Sequence, residues 1–493
     1  MNTVLIGILF YILAQAAFAL SMSRKIRTEE DYVLAGRSLG YMLGTFTIFA
    51  TWFGAETCVG AAGKAYGGGL SETTADPFGF GLCLVLMGFI FAVPLWRRKL
   101  TTLADLYKKR FDWRAERLAV LMMVPGPVLW GSAQLRAVGE IMVATSDGVN
   151  ILLWISLATV IVILYTTIGG MSVSAWTDVI QGIGIIVGLG LIGGLVLYRV
   201  KTGDASLEAS TSGARMSIIP PDGSLLSVME AWAIPVCGSV VGQELVARVI
   251  ATKSPKVAKR SALIAGTIYL MVGAIPVMLG VLGPDILVTK LTDDQHDQFL
   301  IRLAKETLPT GLYILFAGGL LSAIFSTVNG VLLTAATITA HNLVLPLAPN
   351  LTEQQRIGVN RAGVVFFGIV AYIIAVSAPG VYDLVIEASS FSTAGIFITV
   401  IFALFTRFGG PKAAMASLLG GLIGYVGSNY AHKLWGAEEA WNPYPFLTAI
   451  GLALVLYIVV GLIERRGGYV APELPLMSDD GEEADAEIKL ATA

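Results

Sequence analysis

Apolar runs of roughly 20 residues recur from one end of this chain to the other, the length that crosses a hydrocarbon core of about 30 Å. Within a bilayer only helices and closed barrels satisfy every backbone polar group, and runs of this length are helical. Composition agrees: 55% of the 493 residues are hydrophobic and only 14% are charged, against about a quarter charged in an average soluble domain. The chain therefore reads as an all-α polytopic membrane protein. Length and apolar content predict about thirteen spans, at 3–22, 40–66, 75–96, 116–144, 149–168, 175–198, 225–250, 260–283, 311–343, 358–378, 383–406, 412–431 and 445–464.

Basic residues predict the orientation. Arg24, Lys25 and Arg27 follow the first span, Arg97, Arg98, Lys99, Lys108, Lys109, Arg110 and Arg114 the third, Lys253, Lys256, Lys259 and Arg260 the seventh, and Arg465 and Arg466 the last. If odd-numbered spans end inside, roughly 24 of the 33 Lys and Arg face the cytoplasm. That places the N-terminus outside and the C-terminus inside. The three cysteines fall in apolar spans and the three histidines are far apart, so neither a disulfide framework nor a metal-ligand spacing is expected. No organic cofactor, nucleic-acid surface, nucleophile–base constellation or obligate protein partner is expected either. The acidic tail SDDGEEADAEIKLATA has the composition of a disordered segment.

Within this framework the segment TFTIFATWFGAETCVGAAGKAYG at 45–67 stands out. It is apolar enough to enter a membrane, yet Gly54, Gly60 and Gly63 interrupt it and it carries Glu56. A loosened backbone survives at membrane depth only where protein buries it or it lines a cavity, and discontinuous helices build the midplane sites of secondary transporters. Pro235, Gly238 and Gly242 interrupt the seventh span, WAIPVCGSVVGQEL, in the same manner. The ninth span crowds Ser322, Ser326, Thr327, Asn329 and Thr334 into an apolar helix. Adjacent hydroxyls at 326 and 327, with Ala323 a turn earlier, supply part of a cage of neutral oxygens suited to Na⁺. The same hydroxyls also suit back-bonding to i−4 carbonyls. Other ionisable groups at membrane depth are Arg136, Glu140, Asp178 and Glu244, each a candidate for function.

Five motifs in order resemble the sodium:solute symporter family: DYVLAGRSLG at 31–40, FATWFGAETCVGAAGKAYGGGL from 49, YTTIGGMSVSAWTDVIQ at 165–181, GQELVARVIATKS at 242–254 and LLSAIFSTVNG in the ninth span. The resemblance covers nearly the whole chain. It implies a five-plus-five inverted-repeat (LeuT-like) core at 40–406, with repeats at 40–199 and 225–406 and a broken first helix in each. Residues 1–39 would form a peripheral helix and loop, 407–466 two peripheral helices, and 467–493 the cytoplasmic tail. It further implies a sodium site formed by the carbonyls of Ala50, Phe53 and Ala323 and the hydroxyls of Ser326 and Thr327. Asp178 would serve a second ion or line the ion exit. Where some members place two further serines, this chain has Asn329 and Gly330, so one Na⁺ per cycle is expected.

Departures from the family pattern bear on the solute. Thr57, Pro235 and Gly238 replace residues that sugar-transporting relatives use, and Trp52 replaces the aspartate of proline transporters. Trp52, Thr57, Asp76, Arg136, Pro235 and Gly238 are the positions expected nearest the solute. Arg136 either binds a carboxylate bidentately or pairs with Glu140 or Glu56. The expected function is Na⁺-coupled import of a small organic solute by alternating access in a bacterial-type inner membrane. Na⁺ is the coupling ion, and a carboxylate-bearing solute, such as an amino acid or monocarboxylate, is favoured over a hexose. The alternatives are H⁺ coupling on the same scaffold, or a transporter-like membrane sensor.

Overall fold

The computed structural model describes residues 6, 7, 10, 28–73, 75–146, 150–202, 215–219, 224–378, 380–434, 443–470 and 472. The first expected span and the acidic tail lie outside these residues, apart from three positions of the former. Among the described residues, length and apolarity alone mark seven membrane-spanning helices, or nine when each of two bent pairs counts as one span. These nine correspond to the third, fourth, sixth to eleventh and thirteenth expected spans. The second is too interrupted to be counted. The fifth, at Ile151–Leu164, is short, and the twelfth is the helix Pro411–Leu434.

Helix starts follow local chemistry. Thr28 and Thr352 each form a reciprocal capping box, with Asp31 and Gln355 respectively. Ser254 caps the helix Pro255–Ile286, which has proline at its first position. Asp112 accepts from the amides of Arg114 and Ala115 to start Trp113–Met123.

Two boundaries differ from the sequence reading. The fifth and sixth spans share one unbroken run of helical hydrogen bonding, Ile151–Lys201: the residues between them contain no proline, and the Gly169-Gly170 pair does not stop the helix. The eleventh span is bent by 41° between Val381–Ser390 and Thr393–Phe405, with Ser392 in the left-handed region at φ 59.

The second span is broken where expected. Its first half, Tyr41–Trp52, ends at Phe53, whose ψ of 94 is extended. The chain then re-enters through a π-helical stretch, Glu56–Ala61, and continues as Ala62–Gly68. The seventh span repeats the pattern, with Leu225–Ala233, a π-helical Ile234–Gly238 and, after a 43° bend, Gln243–Ile250. The two broken spans are tied together at one end of the bundle. Leu39, ahead of the first, receives from Lys253 N at 3.0 Å and donates to Ala251 O at 3.2 Å, just past the second. Arg37 Nη2 reaches the Leu100 carbonyl at 2.9 Å, fixing the loop after the third span to the same hub.

Candidate functional site

Ending a helix in mid-bundle leaves its last carbonyls without intrahelical donors. Here the hydroxyls of two other spans reach them. Thr327 Oγ1, from the ninth span, lies 3.3 Å from the Ala50 carbonyl and 3.1 Å from that of Ala323. The Tyr269 hydroxyl, from the eighth, lies 2.9 Å from the Trp52 carbonyl. Ala50, Ala323 and Thr327, three of the five residues expected to hold sodium, are thus brought together at the break. Phe53 forms the break itself, stacked on Phe49 with ring centroids 4.8 Å apart.

Ser326 takes a different partner. Its hydroxyl donates to Asp178 Oδ1 at 2.5 Å and lies 3.0 Å from Ser174 Oγ, while Thr47 donates to the other oxygen of Asp178 at 2.6 Å. All four side chains are buried. Asp178 therefore adjoins the primary cluster through Ser326, and the array of carbonyl, hydroxyl and carboxylate oxygens is of the kind that hard cations take. Sequence reading missed Thr47 and Ser174. Thr47 lies a helical turn before Ala50, a spacing that signals a shared face.

Asn329 and Gly330 sit beside a buried charge. The Asn329 carboxamide is buried with neither its oxygen nor its nitrogen hydrogen-bonded. A Cβ at position 330 would stand 2.3 Å from Arg248 Nη2, so a serine there would require the guanidinium to shift. Arg248 donates to the Glu244 carbonyl at 3.1 Å, and its charge faces Asp178 and Glu244.

The residues expected near the solute divide into three groups. Thr57 donates to Asp76 Oδ2 at 2.7 Å, and the Tyr269 hydroxyl stands 2.9 Å from Thr57 Oγ1 and 3.0 Å from Asp76 Oδ1. Trp52 joins this group through its carbonyl, and its ring meets that of Trp130 at 4.2 Å and that of Phe80 at 5.4 Å. The Trp52 Nε1 is buried without a hydrogen-bond acceptor, whereas the Trp130 indole is turned to the Glu56 carboxyl. Trp52, Trp130, Gly238, Glu244 and Phe391 line a cavity of about 40 Å³ between the two breaks, room for water but not for an organic solute. Gly238 is required there: a Cβ would meet the Ser389 carbonyl oxygen. Pro235 lies in the π-helical stretch leading to it.

Arg136 stands apart. Its Nε is 3.1 Å from Glu140 Oε1, an i,i+4 ion pair, and Gln298 donates to the other Glu140 oxygen at 3.1 Å. Glu56 is held by Gln134 Nε2 at 2.6 Å instead of by an arginine. Tyr269, Trp130 and Gln134 were not singled out from sequence, because a lone aromatic or amide in an apolar span has no periodic signature.

Two interrupted helices facing each other across a buried polar cluster, within a many-span bundle, define a secondary transporter of the inverted-repeat class. The chain belongs to the sodium:solute symporter family, whose model matches residues 32–421. Among characterised relatives it is 28% identical to the high-affinity choline transporter 1 of Drosophila melanogaster, over 88% of this chain and 73% of that one. It is 21% identical to the sodium/glucose cotransporter of Vibrio parahaemolyticus, over 80% and 78%. Its fold is similar to that of a Na⁺-coupled sialic acid symporter in a substrate-bound outward-open state (TM-score 0.77, 17% identity, 97% and 100% of the two chains). A nucleobase-cation-symport-1 family transporter shares it at TM-score 0.58 and 18% identity, over 91% and 96%.

Proposed function

We propose that the protein couples the downhill movement of one Na⁺ to import of a small organic solute by alternating access, in a bacterial-type inner membrane with the N-terminus outside. The observation that carries this reading is the Thr327 hydroxyl between the Ala50 carbonyl at the break and the Ala323 carbonyl. Na⁺ would be held by these groups with Phe53 O and Ser326 Oγ, and would favour the conformation in which the neighbouring solute pocket is formed. Coupling is then a difference in affinity between two states. A single ion is supported by the Arg248 guanidinium, which stands where a serine at 330 would project.

For the solute, a cationic head group is the reading we favour. A carboxylate-bearing solute would rest on a free guanidinium at position 136, and Arg136 is engaged with Glu140. The cavity between the breaks is instead lined by Trp52 and Trp130, aromatic surroundings that suit an ammonium group. The relatives named for choline support the same direction. The cavity must widen to admit any such molecule, as alternating access requires.

Uptake of radiolabelled choline, amino acids, monocarboxylates and glucose into proteoliposomes, with Na⁺ or with K⁺ plus a pH gradient, tests the reading. Na⁺-dependent uptake of the quaternary amine is the expected result. Na⁺-dependent uptake of a carboxylate alone would overturn the solute class, and uptake driven by pH without Na⁺ would overturn the coupling ion.

A further inference from the structure

Two clefts adjoin at the end of the bundle that carries the basic loop after the third span. One, of about 190 Å³, is lined by Arg98, Arg110, Phe405 and Arg407 among others. The second, of about 590 Å³, shares Arg407 and adds Phe408, Gly461, Arg465 and Tyr469.

Two of these arginines are buried without a countercharge. Arg98 is 9% exposed and Arg110 1%. Arg98 donates to the Pro94 and Leu404 carbonyls at 2.7 and 2.9 Å, and Arg110 to the Phe408 carbonyl at 3.1 Å. Arg98 Nε and Arg110 Nη1 have no acceptor, and no carboxylate lies within ion-pair distance of either among the described residues. Burial alone draws the Arg98 guanidinium down to about 10.

The acids nearest this end are already committed. Glu464 accepts from the amides of Gly410, Lys412 and Ala413 at 2.7, 2.9 and 3.1 Å. Asp112 accepts from Arg114 and Ala115 at 2.9 and 2.8 Å. Both serve helix N-termini, which leaves Arg98 and Arg110 without an anionic partner among the described residues. A buried unpaired charge is costly, and a bound oxyanion offsets that cost through charge-assisted hydrogen bonds.

The clefts are also flanked by apolar surface that faces the hydrocarbon. Phe405 is 48% exposed, and the helix Pro445–Arg466 turns Val459, Leu462 and Ile463 outward on its way to Arg465. A ligand with a phosphate at one end and acyl chains at the other matches both features, which a free ion does not. We propose that this pair of clefts binds the phosphate of an anionic phospholipid, headgroup among Arg98, Arg110 and Arg407 and chains along the helix Pro445–Arg466.

The test uses the full chain in nanodiscs of phosphatidylcholine alone or with phosphatidylglycerol, read by native mass spectrometry for retained lipid and by thermal unfolding. Wild type should retain phosphatidylglycerol and unfold at higher temperature in its presence. Arg98→Gln and Arg110→Gln should each weaken retention about fivefold, the value of one arginine contact. If these buried variants do not fold, Arg407→Gln and Arg465→Gln on the rim should show the same loss. Equal behaviour in the two lipids would overturn the proposal. So would full stabilisation by inorganic phosphate in phosphatidylcholine discs, which would make the site one for a free anion. Lipid retention that appears only after deletion of residues 476–493 would assign the clefts to the acidic tail and overturn it as well.

Discussion

Thr327 Oγ1 stands 3.3 Å from the carbonyl of Ala50, so the ninth span touches the second at the point where the second stops being a helix. Removing that hydroxyl while keeping the side-chain shape isolates its contribution. Thr327→Val should raise the Na⁺ concentration for half-maximal uptake about tenfold, the equivalent of about 1.4 kcal/mol, and Thr327→Ser should recover most of it. Unchanged Na⁺ dependence in the valine variant, measured in proteoliposomes, would remove Thr327 from the ion site.

Asp178 accepts from Ser326 and Thr47 and faces the charge of Arg248. Neutralising one member of a buried charged group strands the other. Asp178→Asn is expected to lower thermal stability in detergent by about 3 kcal/mol, and Asp178→Asn with Arg248→Gln to lose less than the sum of the single changes. Strict additivity in this double-mutant cycle would show that the two do not interact.

Trp52 and Trp130 present their rings 4.2 Å apart at the cavity between the breaks. If they hold an ammonium group, Trp130→Leu should raise the KM for a cationic solute about tenfold, whereas Trp130→Phe should cost less, as the ranking of cation–π partners requires. A leucine variant that keeps the wild-type KM would place the solute elsewhere.

Gly238 packs against the carbonyl oxygen of Ser389, with no space for a methyl group. Backbone cannot swing aside as a side chain can. Gly238→Ala should destabilise the bundle by about 1–3 kcal/mol and depress uptake, while Gly184→Ala, where nothing lies within 4 Å, serves as the tolerated control. Comparable expression, thermal stability and transport of the two variants would contradict the packing assignment.

Outside the spans, Asp105 is a marker of acid sensitivity. Burial pushes its carboxyl up, but His341 and the amides of Thr101 and Thr102 outweigh burial and hold it at about 2. A folded value below the unfolded one means stability that is present above about pH 4 and lost as pH falls through about 2. The contribution at neutral pH is about 2 kcal/mol. Asp105→Asn should therefore lower the unfolding temperature at pH 7 and flatten its decline between about pH 4 and 2. A variant with an unaltered acid limb would show that the carboxylate is not the acid-labile group.

The parts of this architecture legible in sequence are those with a long-range pattern or a backbone requirement. Twenty-residue apolar runs marked the spans, and glycine and proline marked both breaks, because each acts locally. The meeting of Thr327 with Ala50 was legible only through family motifs, since residues 277 positions apart have no common periodicity. Tyr269 and Trp130 escaped because their roles depend on which carbonyl or ring faces them. Arg136 attracted notice as a membrane-depth charge, but a glutamate one turn along the same helix is its partner. The bend at 391–392 was unreadable for want of glycine or proline.

The guanidinium against Gly330 carries an electrical consequence. A positive charge that belongs to the chain cannot leave with the cargo, so it adds nothing to the net charge delivered per turnover. With one Na⁺ and a cationic solute, two charges cross in each cycle, each drawing about 2.3 kcal/mol from every 100 mV of membrane potential. Current and solute flux recorded together should then stand at two to one, and clamping the voltage to zero should lower accumulation to the level that the Na⁺ concentration ratio alone sustains.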